Sequence, residues 1–451
     1  MYFCCHVKFK LKNVMLEGLM IVVFVLGYLA IAFEHPLKID KAPSALIIGM
    51  VCWAIYVFVP GVDHHIVEHG KDGSGGLYHH LFDIANILFF LLGAMTIVEL
   101  VDAHEGFSVI TDKIKTTSKV KLLWIVGVIT FFFSAGLDNL TTAIVMISLL
   151  RKLIADKQLR WLFAGVVIIA ANAGGAWSPI GDVTTTMLWI KGQLPNVPNM
   201  IVNLILPALV TILLPLIVLS FRLKGTFERP DDKKSGSHGA PTTAFERTFM
   251  FILGGVGLVS VPVFKTYTHL PPFMGMMLSL GVIWVITEVL HRKKNHEHKS
   301  ALSVISILRK IDTSSVLFFM GILMAVAALQ EVGHLNTLAG FLDSTFGNIY
   351  AINMAIGLLS SIVDNVPLVA AAQGMYPIAE AGSFAAGGQF WEFLAYCAGT
   401  GGSCLIIGSA AGVAVMGLEK IDFFWYLKKI SLLALIGYLG GAAVYYFLHA
   451  M

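Results

Sequence analysis

Apolar runs of about twenty residues, the thickness of a bilayer core, follow one another along almost the whole chain. Runs at about 14–33, 44–60, 84–102, 161–190, 200–221, 246–264, 273–290, 313–331, 391–417 and 431–449 predict membrane-crossing helices. Two further runs, about 120–150 and 349–374, are interrupted at their middles by polar clusters. The first interruption reads Ser134-Ala135-Gly136-Leu137-Asp138-Asn139 and the second Ser360-Ser361-Ile362-Val363-Asp364-Asn365. The limbs on either side are short for a crossing, so both runs predict re-entrant helical hairpins with a polar tip at membrane depth. The expected fold is an all-α polytopic membrane protein.

The two tips also reveal an internal repeat. Leu88-Phe89-Phe90 precedes the first tip, and Leu317-Phe318-Phe319 precedes the second. Each tip is followed by a glycine-rich break inside a helix, Asn172 to Asp182 in one case and Gly399 to Ser409 in the other. With Asp138 laid on Asp364, the pairs Gly174-Gly175 and Gly401-Gly402 fall within one residue of register. A first repeat over 1–221, a cytoplasmic linker over 222–245 and a second repeat over 246–451 follow, each repeat holding five crossings and one hairpin. An odd number of crossings inverts the second repeat relative to the first, an architecture common among secondary transporters.

Composition agrees with a bilayer protein. Of 451 residues 57% are hydrophobic and 13% charged, with mean hydropathy +0.80, about half the charge of a water-facing surface. Nucleic-acid binding, a secreted disulfide scaffold and a cytosolic enzyme are excluded together. The net charge of +3 names no partner, but its placement is informative. Loops at 34–43, 103–121, 151–160, 222–247, 291–312 and 418–430 hold 25 of the 31 Lys and Arg residues. The positive-inside rule makes that side cytoplasmic, which puts both termini outside, Lys8, Lys10 and Lys12 among them. Cys4, Cys5, Cys52, Cys397 and Cys404 form no metal-ligand spacing and read as small packing residues.

A carboxylate at the bilayer centre costs at least ~2.5–3.5 kcal/mol, so Asp138, Asp182 and Asp364 need an explanation. Capping the start of a half-helix is one role, although Ser or Asn would cap without a charge. A cation site is the richer reading, since hard cations take oxygen ligands. The candidate ligands are Asp138, Asn139, Thr141 and Thr142 on the first hairpin, and Asn172, Ser178, Asp182, Thr184 and Thr185 around the first break. Ser360, Ser361, Asp364 and Asn365 on the second hairpin, with Ser403 and Ser409 in the second break, complete the set. Carboxylates at both tips, with no Arg in the breaks, repel anions. Burial disfavours an ionised carboxylate and a nearby cation favours it, so Na⁺ and a proton compete for one site. Asp83 and Glu99 are candidates for a proton relay or for a structural role. Glu17, Glu288 and Glu392 read as solvated boundary residues, and the loop 63–69, with His65 and His69, as a solvated loop or a metal site.

These motifs resemble those of NhaD-type sodium/proton antiporters of the ion transporter superfamily, over nearly the whole chain. The signatures are Ser134 to Thr142, Asn172 to Thr185, Ser361 to Pro367 and Glu34 to Lys41. The resemblance implies Na⁺ or Li⁺ exchange for H⁺, with Asp138, Asn139, Asn172, Asp182, Thr184, Thr185, Ser360 and Asn365 as functional positions. It also implies a homodimer with a scaffold and a moving transport domain. Where the family places a Glu early in the third span, this chain has Asp83 and Asn86. No cofactor beyond the transported ions is expected, and the bacterial inner membrane is the expected location. The rival readings are a Na⁺-coupled anion symporter of the same architecture and a membrane-embedded enzyme or metal scaffold.

Overall fold

The computed structural model describes residues 2–32, 34–60, 62, 64–69, 76–229, 242–292, 294 and 302–449. Helices of eight or more residues, in chain order, are α1 Tyr2–Ala32, α2 Lys41–Val57, α3 Gly76–Ala103, α4 Lys119–Leu137, α5 Asn139–Leu153 and α6 Lys157–Gly175. They continue with α7 Val183–Ile190, α8 Val197–Arg222, α9 Ala244–Thr268, α10 Pro272–Leu290, α11 Thr313–Val332 and α12 His334–Phe346. The last are α13 Ile349–Leu359, α14 Asn365–Met375, α15 Gln389–Gly401, α16 Ala410–Glu419 and α17 Ser431–His449. Among the described residues, seven of these, α3, α4, α8, α9, α10, α11 and α17, are long and apolar enough to cross a membrane. The chain is a multi-pass, all-helical membrane protein, as its hydrophobic pattern predicts.

Three expectations change. Limb α4 has 19 residues, long enough by itself to cross, because Ser134 to Leu137 stay helical up to the break. The limbs α5, α13 and α14, of 15, 11 and 11 residues, are short as expected. The 13-residue helix α12 was not foreseen; it is bracketed by Gly333 and Gly347, both in the left-handed region at φ 89° and 59°. Glu392 is buried and bonded rather than solvated. The loop 63–69 is helical over His64–His69, but the His69 side chain, and most of the 229–243 and 291–298 tracts, lie outside the described residues.

The chain divides into two compact units. One comprises 1–89, 312–348 and 366–378. In it α2 packs along α11, and Trp53 donates its indole N–H to the Met324 carbonyl at 2.9 Å. The Glu331 carboxylate there accepts from the Gly76 amide at 3.0 Å and faces His80 Nε2 at 2.9 Å.

The other unit comprises 90–311, 349–365 and 379–451. In it α4 and α5 flank α6, α13 packs on α15, α8 on α17, and α9 on α10. At the ends of α3 and α10, His104 and His291 stack with ring centroids 5.0 Å apart. His104 Nδ1 meets the Leu100 carbonyl at 2.6 Å and so carries the proton; its Nε2 then accepts from His291 Nε2 at 2.7 Å. Glu246 lies 3.8 Å from His291 Nδ1 and is itself held by Lys294 at 2.8 Å.

Burial pushes His291 down to about 4, helped by the neighbouring His104 and Lys294 and opposed by Glu246. Burial also lowers His104, against its bond to the Leu100 carbonyl. Both are neutral in the folded chain, whereas the unfolded chain takes up protons near pH 6.5. Stability is therefore full above pH 6.5 and lost as pH falls from there towards about 4, at up to ~1.4 kcal/mol per pH unit for each proton. Melting temperatures in detergent should fall over that window, and His291→Gln should flatten the fall. An equally steep acid limb in that variant would assign it to other groups.

Candidate cation site

The second unit contains both tips and both breaks, and each is built by local sequence. Helix α6 stops at Gly174-Gly175, and α7 begins seven residues later, where Asp182 in extended backbone accepts from the Thr184 amide at 2.8 Å. Helix α15 stops at Gly401, and α16 begins where Ser409, in nearly the same backbone conformation, accepts from the Gly412 amide. Residues with short polar side chains start helices because they satisfy an amide that has no intrahelical partner.

Corresponding contacts recur in the two halves. Ser134 Oγ donates to the Ala171 carbonyl at 2.5 Å, and Ser360 Oγ donates to the Ala398 carbonyl at 2.8 Å. A Cβ on Gly174 would overlap the carbonyl of Phe131; a Cβ on Gly401 would overlap that of Gly357. Each hairpin thus lies backbone-to-backbone against the helix that breaks, an approach open only to glycine.

Asp182 is the hub. Its Oδ1 accepts from the Thr184 amide and hydroxyl, both at 2.8 Å. Asn139 Nδ2, from the first tip, donates to Oδ2 at 2.7 Å. Asn365 Nδ2, from the second tip, reaches both oxygens at 3.2 and 3.3 Å. Asn172 Oδ1 accepts from Asn139 at 3.1 Å, and Asn172 Nδ2 donates to Ser403 and Ser409 hydroxyls, each at 2.9 Å. A single buried network joins two tips and two breaks. Asp182, Asn139, Asn172, Asn365, Ser403 and Ser409 are all at most 4% exposed.

Asp138 sits at the edge of this network, accepting from the Thr141 amide at 2.8 Å and hydroxyl at 2.9 Å. The charge of Asp182 acts on Asp138, and that of Asp364 acts on Asp182. Thr142 on the next turn of α5 is fully buried, and its hydroxyl has no hydrogen-bond partner among the described residues. Other candidates serve the backbone: Ser178 donates to the Ala135 carbonyl, Ser361 to that of Leu358, and Thr185 to that of Asp182. The arrangement gathers carboxylate, amide and hydroxyl oxygens at the starts of half-helices, the donor set of a small hard cation.

A family model described as "Citrate transporter" (CitMHS) matches residues 14–393. "Sodium/proton antiporter 1" of Arabidopsis thaliana is 46% identical over 433 residues, covering 95% of this chain and 72% of that protein. "Sodium/proton antiporter 2" of the same plant is 41% identical, covering 95% and 99%. "Na(+)/H(+) antiporter NhaD" of Alkalimonas amylolytica is 30% identical, covering 95% and 90%. The chain belongs to the NhaD-type antiporters.

In this NhaD-type chain the far ends of the half-helices are held as well as their starts. Arg151 at the end of α5 and Arg160 at the start of α6 bind the carboxylate of Glu419 at 2.6 and 2.7 Å, and Trp161 donates to the Glu419 carbonyl. Glu419 ends α16 and its carboxylate is buried, so this clamp holds α5 and α16 side by side. Sequence reasoning missed the clamp, because partners more than 250 residues apart leave no local signal. It also missed Glu392, held by Asn203 at 2.8 Å and Tyr445 at 2.9 Å. Glu99 lies in reach of Asp102 and Lys310, and Asp83 belongs to the other unit, 3.9 Å from His79.

Proposed function

We propose that this chain exchanges Na⁺, or Li⁺, for H⁺ by alternating access, with the cation and the proton taking turns at the network around Asp182. The observation that carries the reading is the convergence of Asn139 and Asn365, one from each hairpin tip, on a single buried carboxylate. The unpartnered Thr142 hydroxyl supplies a further oxygen, and the carboxylates of Asp138 and Asp364 lie near enough to add negative charge. The matched contacts of the two halves support an inverted repeat, and the Glu419 clamp supports motion of hairpins and broken helices as one elevator-like body. The homodimer, and termini facing outward, belong to the same reading. The relatives come from a plant and from bacteria, and the bacterial inner membrane rests on the sequence pattern alone.

A second reading is favoured by the family model's own description, a citrate transporter. One experiment separates the two. Proteoliposomes with a preformed acid-inside pH gradient receive NaCl, LiCl, KCl or sodium citrate. Collapse by Na⁺ and Li⁺ with either anion is the expected result. Citrate accumulation that depends on Na⁺, with no collapse by NaCl, would replace antiport by anion symport.

A further inference from the structure

Two cavities outside the cation site share one wall, Phe107, and differ in character. The first, of about 230 Å³, is lined only by apolar residues and glycine, among them Val98, Phe132, Leu137, Gly255 and Val259. Its rim is on the surface: Phe132, Ile252 and Val259 are 55–64% exposed and belong to α4 and α9, both long and apolar enough to span. In the bilayer that rim is continuous with the lipid-covered face, since no polar loop can lie there. Apolar cavities stay dry and take apolar ligands. A second copy's helix, ~10–12 Å thick, does not enter such a space, whereas a single hydrocarbon chain does.

The second cavity, of about 280 Å³, is polar and carries both signs of charge. Asp102, Glu105 and Asp112 line it opposite Lys152 and Arg247, with Arg247 paired to Glu105 at 2.5 Å. Asp102 and Arg247 stand at the ends of α3 and α9, which is headgroup level for helices of spanning length, and Lys152 stands at the end of the hairpin limb α5.

We propose that the two cavities form one binding site for a zwitterionic phospholipid bearing a primary ammonium group. One acyl chain fills the apolar groove, the phosphate meets Lys152 and Arg247, and the ammonium meets Asp102 and Asp112. The chain would then pack against Gly136 and Leu137, immediately before Asp138, and against Phe132, whose ring meets Trp177 of the first break edge-on at 6.4 Å. The lipid therefore touches the hairpin that carries the cation network, while its recognition is independent of which ion is carried.

The test is native mass spectrometry of the delipidated full chain titrated with phosphatidylethanolamine, phosphatidylcholine or phosphatidylglycerol. One tightly held phosphatidylethanolamine is expected, preferred at least about tenfold, or ~1.4 kcal/mol, over the other two. Two variants separate the halves of the site. A Cβ on Gly255 meets nothing within 4 Å, so Gly255→Leu fills the groove without disturbing the helix and should weaken all three lipids. Asp112→Asn, at an exposed position, should reduce the headgroup preference and leave chain binding. Equal binding of the three lipids by the native chain, or unchanged binding in Gly255→Leu, would overturn the proposal; tighter phosphatidylglycerol would exclude the zwitterionic headgroup.

Discussion

Asp182→Ser is expected to lower Na⁺ affinity in gradient-collapse measurements by about 10²-fold or more, the scale set by ~3 kcal/mol or more for removing one partner of a buried charge pair. The choice of serine separates charge from capping. Ser409 occupies the equivalent place in the second half and caps α16 from the same extended backbone, so a serine at 182 can cap α7. What it cannot do is accept simultaneously from Asn139, Asn365 and Thr184 while presenting a negative charge to a cation. The melting temperature should stay near that of the native chain while Na⁺-driven proton movement disappears. Exchange at native Na⁺ affinity in this variant would reduce Asp182 to a helix cap and move the cation elsewhere.

The tips and breaks are legible in the sequence because polar residues inside apolar runs are costly and therefore informative. Asp138, Asn139, Asn172, Asp182 and Asn365 all came from that argument, and Ser403 and Ser409 came from the register of the glycine pairs. What could not be read was pairing. Nothing in the sequence says that Asn365 bonds Asp182, 183 residues away, or that Asn172 bridges to Ser403. Glu392 was misjudged for the same reason: near a span end an acid reads as solvated unless its partners, here Asn203 and Tyr445, are known. Helix α12 was missed because its 13 residues are amphipathic and too polar to register as a crossing. Asp83 and Glu99 rest on a weaker signal, an acidic residue at the end of a span or inside it with no helix break beside it.

Asp138 gives the second large effect, because its backbone and its side chain make opposite demands. At φ 70° and ψ 159° it occupies a region that is essentially glycine's, at a cost of order 1–3 kcal/mol. Its side chain recovers part of this by capping α5 through the Thr141 amide. Replacing a capping Asp by Gly loses only a few tenths of a kcal/mol, whereas replacing it by Ala costs ~0.5–2 kcal/mol. Asp138→Gly should therefore fold at least as stably as the native chain, by about 1 kcal/mol, since relief of the backbone exceeds the lost cap. Asp138→Ala keeps the unfavourable backbone, loses the cap and should be the least stable of the three. Transport should be lost in both, so that stability and exchange move in opposite directions in Asp138→Gly. Such a divergence is what a strained carboxylate retained for its charge produces, because a glycine would serve the turn better. A glycine variant that still exchanges Na⁺ for H⁺, measured beside its melting temperature, would instead make Asp138 a turn residue.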